Sequence, residues 1–181
     1  MKAASMYEQA LGESFNSLPL AVQRFHTLVG WQELHGWVDT DAPSTLAARL
    51  LALCLGTPRR ATSGPIRFEL HATPEAETWT RHFPGRKMTS RMRLDARQVI
   101  EHLGAARLTF NLCEAGGQLE MRLIGLHFLG VRCPRWLLPR VVAEETGQSD
   151  RLHFRVQASL PAIGTVASYR GHLTISEKEP V

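Results

Sequence analysis

The chain has 181 residues, of which 44% are apolar and 21% are charged, a composition that is typical of a folded globular protein and excludes a disordered one. This length is sufficient for one domain with a sizeable core. The formal net charge of +4 comes almost entirely from scattered arginines that form no basic run, so the sequence shows no arm for binding nucleic acid.

The cysteines of the chain, Cys54, Cys113 and Cys133, are widely spaced and form no Cys-x-x-Cys pair. This spacing predicts free thiols in a reducing compartment, with neither a disulfide framework nor a metal site. The N-terminus has no apolar run of signal-peptide length, and no stretch approaches the roughly 18 apolar residues of a membrane-spanning helix. We therefore expect a cytoplasmic protein without membrane insertion.

Residues 1–60 are predicted to be largely helical. Ser5 and Glu8 have the spacing of a capping box, which predicts a short helix that Gly12 ends. A second helix is expected over 17–28, because Pro19 is favoured in a first turn. A strand is predicted at 31–38. A strongly apolar helix follows over 44–55.

From Pro65 onward, apolar and polar residues alternate with the period of a β-strand. The predicted strands are 66–71, 76–83, 86–94, 97–103, 105–113, 118–129, 140–146, 151–160 and 165–175. Short connections between so many strands favour an antiparallel meander. The irregular stretch 130–139 is predicted to be a loop or a short helical turn that covers an open end of the sheet.

The fold class predicted from this pattern is α+β and mainly β, with about nine or ten strands. A sheet of that size exposes long edges unless it curls, so we expect a strongly curved antiparallel sheet or a barrel. Two or three N-terminal helices pack on the sheet or plug one end. The whole is one domain over residues 1–176, helical to residue 60 and β from residue 61, with a frayed tail at 177–181.

The stretch 77–86 places charged residues on an apolar face. Strand period puts Glu77, Trp79 and Arg81 on one side, and Glu101 shares a face with apolar neighbours on a later strand. A Glu and an Arg four positions apart on one strand are separated by about 13 Å, so each needs another partner if it is buried. Two interpretations stay open. Either Glu77 or Glu101 pairs with Arg81 across strands and fixes the register, or Arg81 anchors a carboxylate or phosphate head group in an apolar cavity.

Two further polar residues have an inward position in the predicted fold. His26 follows an apolar helical face and is either a hydrogen-bonded core residue or a general base. Tyr169 lies on the last strand as a structural residue or as a cavity wall with its hydroxyl inside. The candidate ligand-binding residues are Arg81, Trp79, Glu77, Glu101, Tyr169 and His26. We assign no catalytic residue, no metal and no cofactor.

The motifs of several common chemistries are missing from the chain. It contains no Gly-x-Gly-x-x-Gly fingerprint, no phosphate-binding loop, no Gly-x-Ser-x-Gly elbow and no His-Glu-x-x-His pair. It is therefore not expected to bind a dinucleotide by itself, or to be a serine hydrolase or zinc protease of a familiar kind.

Several landmarks together resemble a bacterial domain family of unknown function, DUF4166. The most distinctive is Glu77-Thr-Trp-Thr-Arg-His-Phe-Pro-Gly85, and others are Leu53-Cys-Leu-Gly-Thr-Pro58 and Tyr169-Arg-Gly171. Members of this family look like stand-alone domains or C-terminal appendages of NAD(P)-dependent reductases. The resemblance implies a reductase as a partner, but it assigns no activity and no catalytic residue.

Three functions follow from these features. The first is a non-enzymatic binding module, in which the curved sheet encloses a small apolar or lipid-like ligand and Arg81 and Tyr169 orient its polar end. The second is an accessory or interaction domain of a reductase. The third is an enzyme that uses His26, Glu101 or Tyr169 as acid or base. We expect the first.

Overall fold

The structure is a computed structural model that describes residues 3–175, so the tail predicted at 177–181 lies outside the described residues. Within this range the α-helices are α1 (Met6–Leu11), α2 (Leu20–His26) and α3 (Leu46–Leu55). Short 3-10 helices cover Gly12–Ser17 and Arg135–Leu137. The capping box is confirmed, because Ser5 Oγ accepts from the Glu8 amide at 3.2 Å and Glu8 Oε2 accepts from the Ser5 amide at 2.6 Å.

Most of the rest of the described chain is β-structure. Its strands are β1 (Gly30–Thr40), β2 (Thr62–Ala72), β3 (Ala76–Phe83), β4 (Arg86–Asp95), β5 (Gln98–Leu103), β6 (Ala106–Ala115), β7 (Gln118–Phe128), β8 (Val131–Arg132), β9 (Arg140–Gln148), β10 (Arg151–Leu160) and β11 (Gly164–Thr174). The stretch 130–139, predicted to be a loop or a short helical turn, contains the helical turn at Arg135–Leu137 and, before it, the two-residue strand β8. Backbone pairing of β8 with the end of β7 produces this strand.

The predicted barrel is confirmed. Each long strand pairs antiparallel with its neighbours in the order β1, β2, β3, β4, β5, β6, β7, β9, β10 and β11, and β11 pairs back with β1. The β1–β11 pairing requires two glycines. A Cβ at Gly36 would clash with the backbone carbonyl of His172, and one at Gly171 would clash with that of Trp37. Closure gives each of these ten strands a paired neighbour on both sides, although β7 and β9 pair only at Leu119–Glu145 and Glu120–Glu144.

One end of the barrel is plugged by the first two helices. α1 packs against β4 and β6, and α2 packs against β9 and β10. Tyr7, Val22 and Phe25 are the buried side chains of this plug, with at most 1% of their surface exposed. The two helices that the capping box and Pro19 predicted from the sequence therefore close the barrel at this end.

The other end is bordered by α3 and by the segment that follows β7. Thr45 caps α3 by accepting from the Ala48 amide at 3.1 Å, and Gly56 ends it in the left-handed conformation at φ 76°. The Ala105 amide donates to the Cys54 carbonyl at 3.1 Å, and the Leu129 amide donates to the Ala105 carbonyl at 2.9 Å. These bonds place the end of α3, the β5–β6 turn and the β7–β8 turn side by side.

A cavity inside the barrel

The barrel interior contains a cavity of about 340 Å³. Its walls are mostly apolar, and the larger side chains among them are Trp79, Met92, Leu108, Phe110, Met121 and Val156. Alanines at Ala143, Ala158 and Ala167 also line it. Side chains this small do not reach across a ten-stranded barrel, so space is left between them and the large residues opposite.

The cavity extends to the end of the barrel that α3 borders. Leu51 and Leu55 of α3 line it, as do Leu137 and Pro139 of the segment that follows β8. The plug helices contribute no lining residue. The end that α3 borders is therefore the mouth of the cavity, and the end plugged by α1 and α2 is its floor.

Arg81 brings a buried positive charge to the cavity wall. Its side chain is 8% exposed, and its guanidinium carbon lies 4.8 Å from the centre of the Trp79 ring and 5.7 Å from that of Phe68. Nη1 donates one hydrogen bond, to Ser90 Oγ at 3.2 Å. Among residues 3–175, no carboxylate lies within 4.0 Å of this guanidinium.

Of the two open interpretations, the one in which Arg81 pairs with Glu77 or Glu101 therefore does not hold among residues 3–175. The reason is the strand register, which places Phe68 of β2 and Met88 of β4 opposite Arg81. No acid occupies either cross-strand position, so the guanidinium rests on aromatic rings. Within the described part of the chain, its hydrogen bond to Ser90 leaves most of its N–H donors available to an acceptor inside the cavity.

Glu77 lies in the core and does not reach the cavity. It is 3% exposed, and Oε2 accepts a hydrogen bond from Trp79 Nε1 at 2.6 Å. Burial raises the pKa of this carboxyl to about 7, and the charge of Glu145 adds to the rise. The charge of His26 and the bond from Trp79 oppose it. A carboxyl with this pKa gains or loses its proton near neutral pH.

A Glu77→Gln variant tests this carboxyl through the pH dependence of stability. The folded-state pKa of about 7 lies above the usual value of 4.5, so between these values the folded protein holds a proton that the unfolded chain releases. Raising the pH through this window therefore lowers the free energy of unfolding, by about 3 kcal/mol for the full shift. We expect urea unfolding at several pH values to show a markedly flatter profile for Glu77→Gln.

The control for that experiment is Glu75→Gln, which changes an exposed carboxyl just before the same strand. Its profile should follow that of the wild type. A Glu77→Gln profile as steep as the wild-type profile would show that the carboxyl titrates normally in the folded state.

His26 and Glu145 form a buried pair next to the floor of the cavity. His26 Nε2 and Glu145 Oε2 lie 2.6 Å apart, and the two side chains are 0% and 10% exposed. The Tyr7 ring stacks on the His26 ring with 3.6 Å between centroids. Glu145 lines the cavity, but His26 does not. His26 therefore supports a cavity residue from behind.

The two tyrosines of this region are both buried. Tyr7 belongs to the plug, and burial raises the pKa of its hydroxyl well above the usual value, with the charge of Glu77 as the second cause. Tyr169 is 7% exposed, lines the cavity and packs edge-on against Phe83 with 5.3 Å between ring centroids. Burial raises the pKa of the Tyr169 hydroxyl as well. Both phenols are therefore neutral hydrogen-bonding groups at ordinary pH.

The structure brings most of the predicted site residues together. Arg81, Trp79, Glu101 and Tyr169 line the cavity, whereas Glu77 and His26 lie in the core beside it. Sequence reasoning missed Glu145, Tyr7 and Ser90. The inward position of Glu145 could have been found from β9, where Val141, Ala143 and Glu145 alternate with Val142 and Glu144.

Two further features are absent from residues 3–175. No three His, Cys, Asp or Glu side chains there are grouped so that they could hold a metal ion. No helix of this part of the chain has the length and apolar character that crossing a membrane requires.

The fold and site define a closed ten-stranded antiparallel barrel with an apolar interior cavity and a buried arginine in its wall. The chain belongs to the DUF4166 family, a domain of unknown function whose model matches residues 18–173. This confirms the resemblance seen in the sequence. No curated protein matches the chain.

Among solved structures, the chain is similar to the one described as "Crystal Structure of Rv2717c from M. tuberculosis". The two share 11% sequence identity and a TM-score of 0.49, over 88% of this chain and 99% of that one.

Proposed function

We propose that this protein is a non-enzymatic binding module that holds a small apolar or lipid-like ligand inside the barrel. The observation that carries the proposal is the cavity of about 340 Å³ with mostly apolar walls. Small-molecule sites have volumes of about 300 to 1,000 Å³ and combine apolar walls with a few polar groups. Transfer of the apolar part of a ligand from water to such walls supplies the driving force for binding.

The polar end of the ligand is oriented by Arg81. This residue is the cation of the cavity wall, and its one described hydrogen bond goes to the neutral hydroxyl of Ser90. A carboxylate on the ligand would accept the donors that remain, in the bidentate geometry that guanidinium favours. Tyr169, on the same wall, can donate a further hydrogen bond.

Binding is favoured over turnover by the position of His26. This histidine is the side chain best suited to general acid–base chemistry, yet it is bonded to Glu145 and does not reach the cavity. Glu101 and Tyr169, the other two acid–base candidates, do line the cavity, where they can also hold the polar end of a ligand by hydrogen bonds.

Filling the cavity tests the proposal. Ala143→Phe and Ala158→Phe each place a phenyl ring where the cavity now lies, without an existing side chain to displace. We expect the wild type to bind the fluorescent fatty-acid analogue dansylaminoundecanoic acid with one molecule per chain. Each variant should bind it at least about 10-fold more weakly, because the ring and the probe compete for the same space.

The matched control is Ala4→Phe, which adds the same ring at an exposed position before α1. It should bind the probe as the wild type does. Native mass spectrometry of the purified wild type would add the mass of any ligand carried from the cell. Failure of the wild type to bind the probe and related apolar acids, or unchanged binding by both filled variants, would contradict a ligand site in the barrel.

A further inference from the structure

The mouth of the cavity is bordered by apolar side chains that face outward. On α3, Leu46, Leu50 and Leu53 follow one another at helical spacing and are 80%, 66% and 49% exposed. The opposite face of this helix packs on the barrel through Ala48 and Ala52, which are fully buried. The exposed leucines therefore contribute nothing to the core of the described chain.

A second group of exposed apolar side chains lies beside the first. Leu129, Val131 and Trp136 follow β7 and are 74%, 71% and 79% exposed. The backbone bonds from Leu129 through Ala105 to Cys54 connect this segment to the end of α3. We call these six residues, Leu46, Leu50, Leu53, Leu129, Val131 and Trp136, the mouth rim.

The charged side chains on the two segments that contain the mouth rim are basic. The segments 42–68 and 121–143, which contain the rim, hold no Asp or Glu. Their exposed arginines include Arg49, Arg59, Arg60, Arg132 and Arg135, none of which has an ion-pair partner among residues 3–175. The two nearby acids on and after β1 are bonded to serine hydroxyls, Asp39 to Ser63 and Asp41 to Ser168.

Two of these arginines line an open groove. It measures about 380 Å³ and is lined by Arg132 and Arg135, with Ile124 and Leu138 as apolar neighbours. A surface that combines exposed Leu and Trp with unpaired cations matches the boundary of an anionic bilayer. There, apolar side chains enter the acyl region, Trp lies at the head groups and Arg meets their phosphates.

We propose that the mouth rim docks on an anionic lipid surface, so that an apolar ligand passes between the bilayer and the cavity without crossing water. Passage of the ligand rests on the function proposed above, whereas docking does not. A second copy of this chain fits the rim less well, because a twofold contact would bring the two sets of arginines together.

Vesicle flotation tests the docking step directly. We expect the wild type to float with vesicles of phosphatidylcholine and phosphatidylglycerol at least about 10-fold more than with phosphatidylcholine alone, and to be released by high salt. Both Leu50→Ser with Trp136→Ser and Arg132→Gln with Arg135→Gln should reduce flotation by a similar factor. Dansylaminoundecanoic acid binding without vesicles should stay unchanged in both variants, because none of these residues lines the cavity.

Matched controls lie away from the mouth. Trp31 is 62% exposed near the floor end of β1, so Trp31→Ser removes an exposed tryptophan outside the rim. Arg91→Gln with Arg93→Gln removes two exposed arginines of β4. Both controls should float as the wild type does.

Several results would overturn the proposal. They are equal flotation with neutral vesicles, no flotation at all, or an equal loss in the controls and the rim variants. A wild-type dimer in light scattering that Leu50→Ser converts to a monomer would assign the rim to a second copy. Probe binding in solution separates the two proposals. If the protein binds the probe but does not float with vesicles, the docking proposal fails and the proposed function is unaffected.

Discussion

An Arg81→Met variant is expected to bind a carboxylate-headed apolar probe about 10- to 100-fold more weakly than the wild type. Hydrogen bonds to charged groups contribute about 1.5 to 3 kcal/mol, and every 1.4 kcal/mol corresponds to about 10-fold in affinity. Methionine is similar in length, and its thioether packs well against the Trp79 ring that now carries the guanidinium. The change therefore removes the charge while the apolar wall stays in place.

The same variant should fold at least as well as the wild type. Arg81 is 8% exposed, and no carboxylate of the described chain forms an ion pair with it. Removal of such a cation relieves its desolvation cost, which offsets the loss of a cation–π contact of about 1 to 2 kcal/mol. Urea unfolding would show a midpoint that is unchanged or higher. A sharp fall in stability would instead make Arg81 a structural residue.

A neutral probe makes the assignment specific. The methyl ester of dansylaminoundecanoic acid has the same chain and reporter without the carboxylate. Wild type and Arg81→Met should bind this ester with similar affinity, because the apolar contacts are shared. Arg91→Met, an exposed arginine on the neighbouring strand, is the control for loss of positive charge. Equal loss of both probes in Arg81→Met would mean that Arg81 shapes the cavity rather than recognises the acid.

The second large effect is on stability. A Glu145→Leu variant is expected to lower the free energy of unfolding by about 3 kcal/mol, because removing one partner of a buried pair leaves the other without compensation. His26 is the partner, and its Nδ1 already has no described hydrogen-bond partner. The variant would therefore leave both ring nitrogens of a buried histidine unsatisfied. Urea unfolding followed by circular dichroism measures the change.

Two further variants show whether the pair is the cause. Glu145→Gln keeps an oxygen that can accept from His26 Nε2, so its loss of stability should be clearly smaller. Glu144→Leu changes the adjacent acid, which has no described ion pair, and should alter stability little. A loss below about 1 kcal/mol for Glu145→Leu would show that the pair contributes no more than an ordinary hydrogen bond.

The strands and their inward faces could be predicted from the sequence alone. Alternation in β3 places Trp79 and Arg81 on the apolar face, and the same argument places Glu101 and Tyr169 inside. Turn residues such as Gly116-Gly117 mark the hairpins, and the number of strands requires a curled sheet. These features depend on side-chain period and local turn chemistry, which are readable along the chain.

Partners across the barrel could not be predicted in this way. Within the described chain Arg81 forms no ion pair with Glu77 or Glu101, because the strand register places Phe68 and Met88 opposite it. His26 meets Glu145 although 119 positions separate them in sequence. Such contacts depend on how strands far apart in the chain align and on which helix closes which end. A local pattern gives the face on which a residue lies, whereas only barrel closure decides which side chain it meets there.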